Sequence, residues 1–228
     1  MRAKLVLWGA AAAVALSSTA AVASVVVVRS LGPSAKAYPP GKTLPESASI
    51  SLKGGDVVTL IGPSSAQTLR GPGNFAAKQV ASAAMSGKRG RFGALRTAEV
   101  ARNPSIWDLD ITQSGKMCVA DRNKLKLWRS DAETPIKVNI RSADGKSQEL
   151  AWAAGKDSAF WPSSLPISND SQYQIEWPSS GEKSTITFVT VPSSPGDLVG
   201  AAQLLIEKGC QNQLDVLVES ASKAGKSN

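Results

Sequence analysis

Ala21-Val22-Ala23-Ser24-Val25-Val26-Val27-Val28-Arg29 is the stretch on which the fold turns. Joined to what precedes it, the uncharged run from Leu5 to Val28 is long enough for a membrane-spanning helix, which needs about 20 residues. Taken alone, four consecutive valines favour a strand over a helix. Upstream, Arg2 and Lys4 lead an apolar run from Leu5 to Leu16, and small residues then end in Ala21-Val22-Ala23, the small-x-small spacing that a signal peptidase accepts. The two halves agree if residues 1–23 are a secretory signal and Val25–Val28 is the first strand of the folded chain. A second small-x-small site at Ala35-Lys36-Ala37 would discard that strand, and an uncleaved inner-membrane anchor is the competing reading. Both the cleaved and the anchored reading deliver the body of the chain to the same side, the periplasm.

Outward from that strand, short apolar runs alternate with turn residues. Ala48–Lys53 alternates apolar and polar, Gly54-Gly55 leads into Asp56–Ile61, and Gly62-Pro63-Ser64-Ser65 precedes Ala66–Arg70. This spacing predicts a small antiparallel unit. Gly55-Asp56-Val57-Val58-Thr59-Leu60, a turn, and Thr68-Leu69-Arg70-Gly71-Pro72-Gly73 together resemble the periplasmic β domain of the iron-dicitrate sensor (FecR-type) proteins. The resemblance covers roughly residues 25–75 and implies the fold of a β unit over 24–75; the signalling role of that family is not carried over.

Residues 76–104 form a connector of different composition. Ala76–Met85 is Ala-rich and predicts a short helix, and Lys78, Lys88, Arg89, Arg91, Arg96 and Arg102 are opposed only by Glu99. Much of the formal net charge of +8 therefore sits here. Such a patch would meet an anionic membrane surface or an acidic partner by electrostatic attraction.

From 105 to 191 the chain returns to strands. Trp107, Leu109 and Ile111 alternate with Asp108 and Asp110; Leu125 and Leu127 alternate with lysines; Ile136, Val138 and Ile140 alternate with polar residues. Asp144-Gly145 marks a hairpin turn before Gln148–Trp152, and further strands are expected at Gln172–Trp177 and Ser184–Val191. About seven short strands at this spacing predict an immunoglobulin-like β-sandwich. Residues 192–222 then read as an α-helical hairpin: Ser194-Pro195-Gly196-Asp197 supplies a cap and a proline at the first helical position, Gly209 ends the first helix, and Leu214, Leu217, Val218 and Ala221 form one face of the second. Residues 223–228 are a polar tail. The expected fold class is thus mainly β, a FecR-like unit plus a sandwich, with a C-terminal helical hairpin.

Cys118 and Cys210 are the chain's two cysteines, an even count that in an oxidising compartment favours a disulfide; two reduced thiols are the alternative. The absence of any histidine excludes imidazole nucleophile pairs, histidine general bases and histidine-ligated zinc. Ser220-Ala221-Ser222-Lys223 has the spelling of a serine-x-x-lysine nucleophile, but its companion motifs are missing and it reads as helix end. Asp108 and Asp110, two apart on an expected strand, would share one face and could act as acid and base or hold a hard cation, against the simpler reading of a solvated face. No cofactor is called for. Trp161 and Trp177 stand before prolines at expected strand ends, where exposed rings could stack on sugars or anchor a protein interface. The expectation is a non-enzymatic envelope protein, a protein-interaction or regulatory module that binds an envelope or membrane protein through Lys88, Arg89, Arg91, Trp161 and Trp177. A cell-wall glycan-binding protein is the second reading and a carboxylate hydrolase the third. Nucleic acid is excluded as a partner by compartment.

Overall fold

The computed structural model describes residues 24–81 and 103–224. The expected signal at 1–23, the connector residues Lys88, Arg89 and Arg91, and residues 225–228 lie outside them. The described chain is mainly β, with fourteen strands and three α-helices that include a C-terminal pair.

The N-terminal unit runs β1 (Ser24–Leu31), β2 (Thr43–Pro45), β3 (Ser49–Leu52), β4 (Val57–Ile61), β5 (Ala66–Arg70), β6 (Gly73–Ala76) and the short helix α1 (Ala77–Ala81). Four strands form one antiparallel sheet in the order β2-β1-β4-β5, while β3 pairs with β6. The valine run is a strand because both of its faces are buried. Val25 and Val27 pack with Ile50, Leu60 and Leu69, and Val26 and Val28 pack under the C-terminal helices. A continuous apolar run of this length fits a strand covered on both sides.

Three turns at one end of this unit converge on Asp56, which is 1% exposed. Its carboxylate accepts the N–H of Ser34 at 2.8 Å and the N–H of Lys53 at 2.6 Å, and its carbonyl accepts the N–H of Gly71 at 2.9 Å. Gly32 has φ of +100°, and a Cβ there would stand 2.5 Å from the Asp56 carboxylate. Gly32 therefore stands too close to Asp56 for any side chain.

The second body runs β7 (Leu109–Asp110), β8 (Gly115–Val119), β9 (Lys126–Trp128), β10 (Ile136–Ser142), β11 (Ser147–Trp152), β12 (Ser158–Phe160), β13 (Gln172–Glu176) and β14 (Lys183–Thr190). Its sheets have the orders β11-β10-β13-β14-β8 and β12-β9-β7, with β8 parallel to β14 and β7 parallel to β9. Both sheets contribute to one core, in which Leu109 and Leu127 meet Ile140, Ile175, Ile186 and Phe188. The long strand expected around Trp107–Ile111 is shorter than its alternation implies. The Asp110 carboxylate accepts the N–H of Thr112 at 3.0 Å and its hydroxyl at 2.7 Å, which bends the chain into a turn and sends β8 to the other sheet.

Helices α2 (Leu198–Lys208) and α3 (Gln211–Ala224) close the chain. The start differs in detail from expectation. Asp197 is the N-cap itself, its side chain accepting the Gly200 N–H at 2.8 Å, and Pro195 lies outside the helix. Gly209 ends α2 with φ of +72°, and the N–H groups of Gly209 and Cys210 bond the carbonyls of Ile206 and Leu205. That turn points Cys210 at β8, where it forms a disulfide with Cys118 across 92 residues, with Cα atoms 5.9 Å apart. The hairpin shares one core with β1 and β4 on one side and with Cys118, Val189 and Val191 on the other. It is the layer through which the two β bodies are joined. Among the described residues no helix is long and apolar enough to cross a membrane.

Candidate functional site

A cleft of about 310 Å³ opens beside the disulfide, lined by Trp107, Asp108, Asp121, Lys124 and Ser194 together with the segment Cys118 to Ala120. Its size is at the lower end of small-ligand pockets. Each wall is held by local hydrogen bonds that the sequence dictates. Asn103 and Ser105 are turn formers: Ser105 N–H bonds the Asn103 carboxamide at 3.2 Å, Trp107 N–H bonds the Ser105 hydroxyl at 3.1 Å, and the Asn103 amide donates to the Asp108 carbonyl at 2.8 Å. Gln213 of α3 donates to the Ile106 carbonyl at 2.8 Å and so ties this loop to the hairpin. The indole of Trp107 is thereby presented half-buried at the rim.

The opposite wall is the turn Asp121–Lys124. Asp121 accepts the Asn123 N–H at 3.0 Å and pairs with the Lys124 ammonium at 3.2 Å. Those contacts, the Asn123 N–H first, hold its carboxyl below the usual value. Asp108 behaves oppositely. Burial pushes its carboxyl up, the nearby Asp157 charge adds to the rise, and the Lys126 charge only partly offsets them. No described residue hydrogen-bonds its side chain. The cleft therefore combines a flat aromatic face, a fixed anion with its own counter-ion, and a second carboxylate with unused acceptor capacity.

A larger hollow, about 510 Å³, lies elsewhere on the second body between Asp144, Lys146 and Asp170. It offers less for recognition, because the hydroxyl of Tyr173, its aromatic side chain, is engaged with the Pro166 carbonyl at 2.5 Å. Asp144 there is bound by Ser142 and Lys146, which brings its carboxyl down to about 2.

The residues expected to form a site are scattered. Trp161 is not exposed. It is 8% accessible, donates its indole N–H to the Leu165 carbonyl at 2.7 Å, and meets the rings of Tyr173 and Phe188 edge-on, each at 4.9 Å. Proline-induced strand termination at Pro162 does not expose it, because the following turn folds back over the ring. Trp177 is half-buried against the same core. Lys88, Arg89 and Arg91 lie outside the described residues. Asp110 is committed to its turn, and Asp108 alone of that pair lines the cleft. Ser220 donates its hydroxyl to the carbonyls of Val216 and Leu217, at 2.9 and 3.0 Å, a helix-end contact. Among the described residues no cluster of three metal-ligating side chains exists.

Two polar residues escaped notice in the sequence. Arg129 is 2% exposed and donates to the carbonyls of Thr134, Ala153 and Lys156 at 2.6 to 2.9 Å, with its guanidinium 5.4 Å from the Trp152 ring. It fastens the β9–β10 loop to the β11–β12 loop. Gln213 is 3% exposed and bonds both backbone groups of Cys118, taking the N–H at 2.7 Å and giving to the carbonyl at 3.0 Å. Nothing in composition separates either residue from a surface Arg or Gln; only the position of Gln213 on the apolar side of α3, one residue before Leu214, hinted at burial.

Fold and site define a mainly β protein with a disulfide-anchored helical hairpin and an aromatic–carboxylate cleft at that anchor. Comparison with family models, with curated proteins and with solved structures finds no match.

Proposed function

We propose that this chain is an exported, non-enzymatic module of the bacterial envelope, periplasmic, that binds or regulates an envelope protein through the cleft at Trp107 and Asp108. In this reading residues 24–75 are a FecR-like β unit and residues 105–191 an immunoglobulin-like sandwich. Support for the sandwich comes from five- and three-stranded sheets that share a core, with the last strand β14 parallel to β8. The observation that carries the proposal is the fully buried disulfide: a bond that joins β8 to the helical hairpin belongs to an oxidising compartment. The basic connector around Lys88, Arg89 and Arg91 adds attraction to an anionic surface or an acidic partner. The test is fractionation of cells followed by thiol alkylation in denaturant under non-reducing conditions. The expected result is protein in the periplasmic fraction, or on the outer side of the inner membrane, with neither thiol alkylated. Cytosolic protein with both thiols alkylated overturns the proposal. Mass spectrometry of what co-purifies with wild type and not with Trp107→Ala then identifies the partner.

A second reading, cell-wall glycan binding, is favoured by one feature, the half-buried Trp107 ring beside Asp108 and Asp121 in one cleft. Sugar rings stack on indole and donate hydroxyls to carboxylates. Retention on purified peptidoglycan at high salt, lost with Trp107→Ala, supports it, since stacking is screened far less than charge. No retention, or retention lost in salt, eliminates it.

A further inference from the structure

We infer that the α2–α3 hairpin is an exchangeable element, whose site on each molecule fits the hairpin of a second copy of this chain, and that the short tether and the Cys118–Cys210 bond keep it closed on its own chain. Three features carry this. The hairpin brings Leu205, Leu214 and Leu217, all nearly or fully buried, into a core whose other walls are Val26 and Val28 on one body and Val189 and Val191 on the other. Its polar contacts also reach both bodies. Arg29 of β1 pairs with Asp215, and Gln203 donates to Thr43 at 2.9 Å, while Gln213 and Asn212 bond Cys118 and Ser114.

The second feature is the edge that the hairpin guards. β8 is the last strand of its sheet, and its outward N–H and C=O at Cys118 are both satisfied by the Gln213 carboxamide, which stands in for a neighbouring strand. A body without its hairpin presents an open strand edge next to an apolar floor. The surface complementary to both at once is another α2–α3 hairpin.

The third feature is the tether. Residues 192–196, Pro-Ser-Ser-Pro-Gly, lie between β14 and the Asp197 cap in no regular element, mostly exposed, and make no hydrogen bond to described residues. Such a segment can open without breaking hydrogen bonds, which favours exchange of an identical element between copies. Against exchange stand the short tether, which keeps the hairpin at high effective concentration near its own body, and the disulfide, which ties it to its own Cys118.

The test uses two full-length single variants, Cys118→Ser, which keeps only Cys210, and Cys210→Ser, which keeps only Cys118. The two are mixed at high concentration, warmed to the unfolding midpoint, cooled, and treated with oxidised glutathione, which accepts the two electrons and two protons released when two thiols join. Exchange places Cys210 of one copy against Cys118 of the other, so a Cys118–Cys210 heterodimer should exceed either homodimer at least tenfold by mass spectrometry. Heterodimer no more abundant than the homodimers overturns the inference. If either single variant fails to refold, as judged by circular dichroism, a chain lacking Ser193 and Ser194 replaces the pair. Its tether is shorter by about 7 Å at 3.3–3.6 Å per residue. It should be dimeric by light scattering, and a folded monomer overturns the inference.

Discussion

At the scale of single residues, the buried polar groups decide more than their number suggests. For Asp56, burial works against the charge, but hydrogen bonds from the Ser34 side chain and from the N–H groups of Ser34 and Lys53, with the Lys53 charge nearby, outweigh it and hold the carboxyl below its ordinary value. A carboxyl lowered on folding contributes stability that is present above its unfolded pKa, about 3.9, and lost as pH falls through the folded value. Acidification from pH 7 to below 4 should therefore lower the urea midpoint of the wild type. Asp56→Asn should start less stable at pH 7, because an amide sets a donor against one of the two N–H groups, and its acid loss should be smaller. Parallel pH curves for the two proteins would refute the assignment. None of this was readable from Gly-Asp in a turn: the sequence marked 54–55 as a bend, while the partners Ser34 and Gly71 come from distant turns. Trp161 teaches the converse. Proximity to a proline at a strand end suggested exposure, whereas 8% accessibility follows from a turn that returns through Leu165.

At the scale of elements, alternation located the strands that have one wet face, β3, β10, β13 and much of β14, and helical spacing located α2 and α3. The elements that escaped were short or covered on both sides. β8 reads Gly-Lys-Met-Cys-Val: Met117 and Val119 enter the core between the two sheets while Cys118 enters the core under the hairpin, so no period of two is visible. The same double coverage explains Val25–Val28, and Phe188-Val189 repeats it on β14. Uninterrupted apolar runs in β1, β8 and β14 thus mark where the hairpin lies. This makes the hairpin's own core residues costly to truncate. Leu205→Ala, at a fully buried position, should lower unfolding stability by about 2–5 kcal/mol in urea titration. Because Leu205 sits between both bodies, fluorescence of the tryptophans, none of which among the described residues lies in the N-terminal body, should shift its midpoint together with circular dichroism of the whole chain. Separate midpoints would show that the bodies unfold independently.

At the scale of the whole molecule, the candidate site, the edge guard and the covalent link fall at one place. The cleft is lined by Cys118, its Trp107 loop is tied by Gln213 through Ile106, and Gln213 follows Cys210 by three residues, about one helical turn. Packing of the hairpin, closure of the β8 edge and the shape of the cleft are therefore coupled. The pairing of the cysteines was legible from their even count and an export-like N-terminus, but the cleft was not, because its walls come from 107–108, 121–124 and 194, and no spacing joins them. Coupling has a measurable consequence. For a loop of this length the chain-entropy account gives the disulfide about 4–5 kcal/mol, so Cys118→Ser with Cys210→Ser should lower unfolding stability by about that amount. Reduction of the wild type should lower it equally. If the bond also holds the cleft, the quench of Trp107 emission by a neutral quencher should rise in the native double variant, measured as the difference from Trp107→Ala in each background. A stability loss below about 1 kcal/mol, with unchanged quenching, would mean that side-chain packing and the Gln213 carboxamide already hold the hairpin and that the sulfur bridge adds nothing to the site.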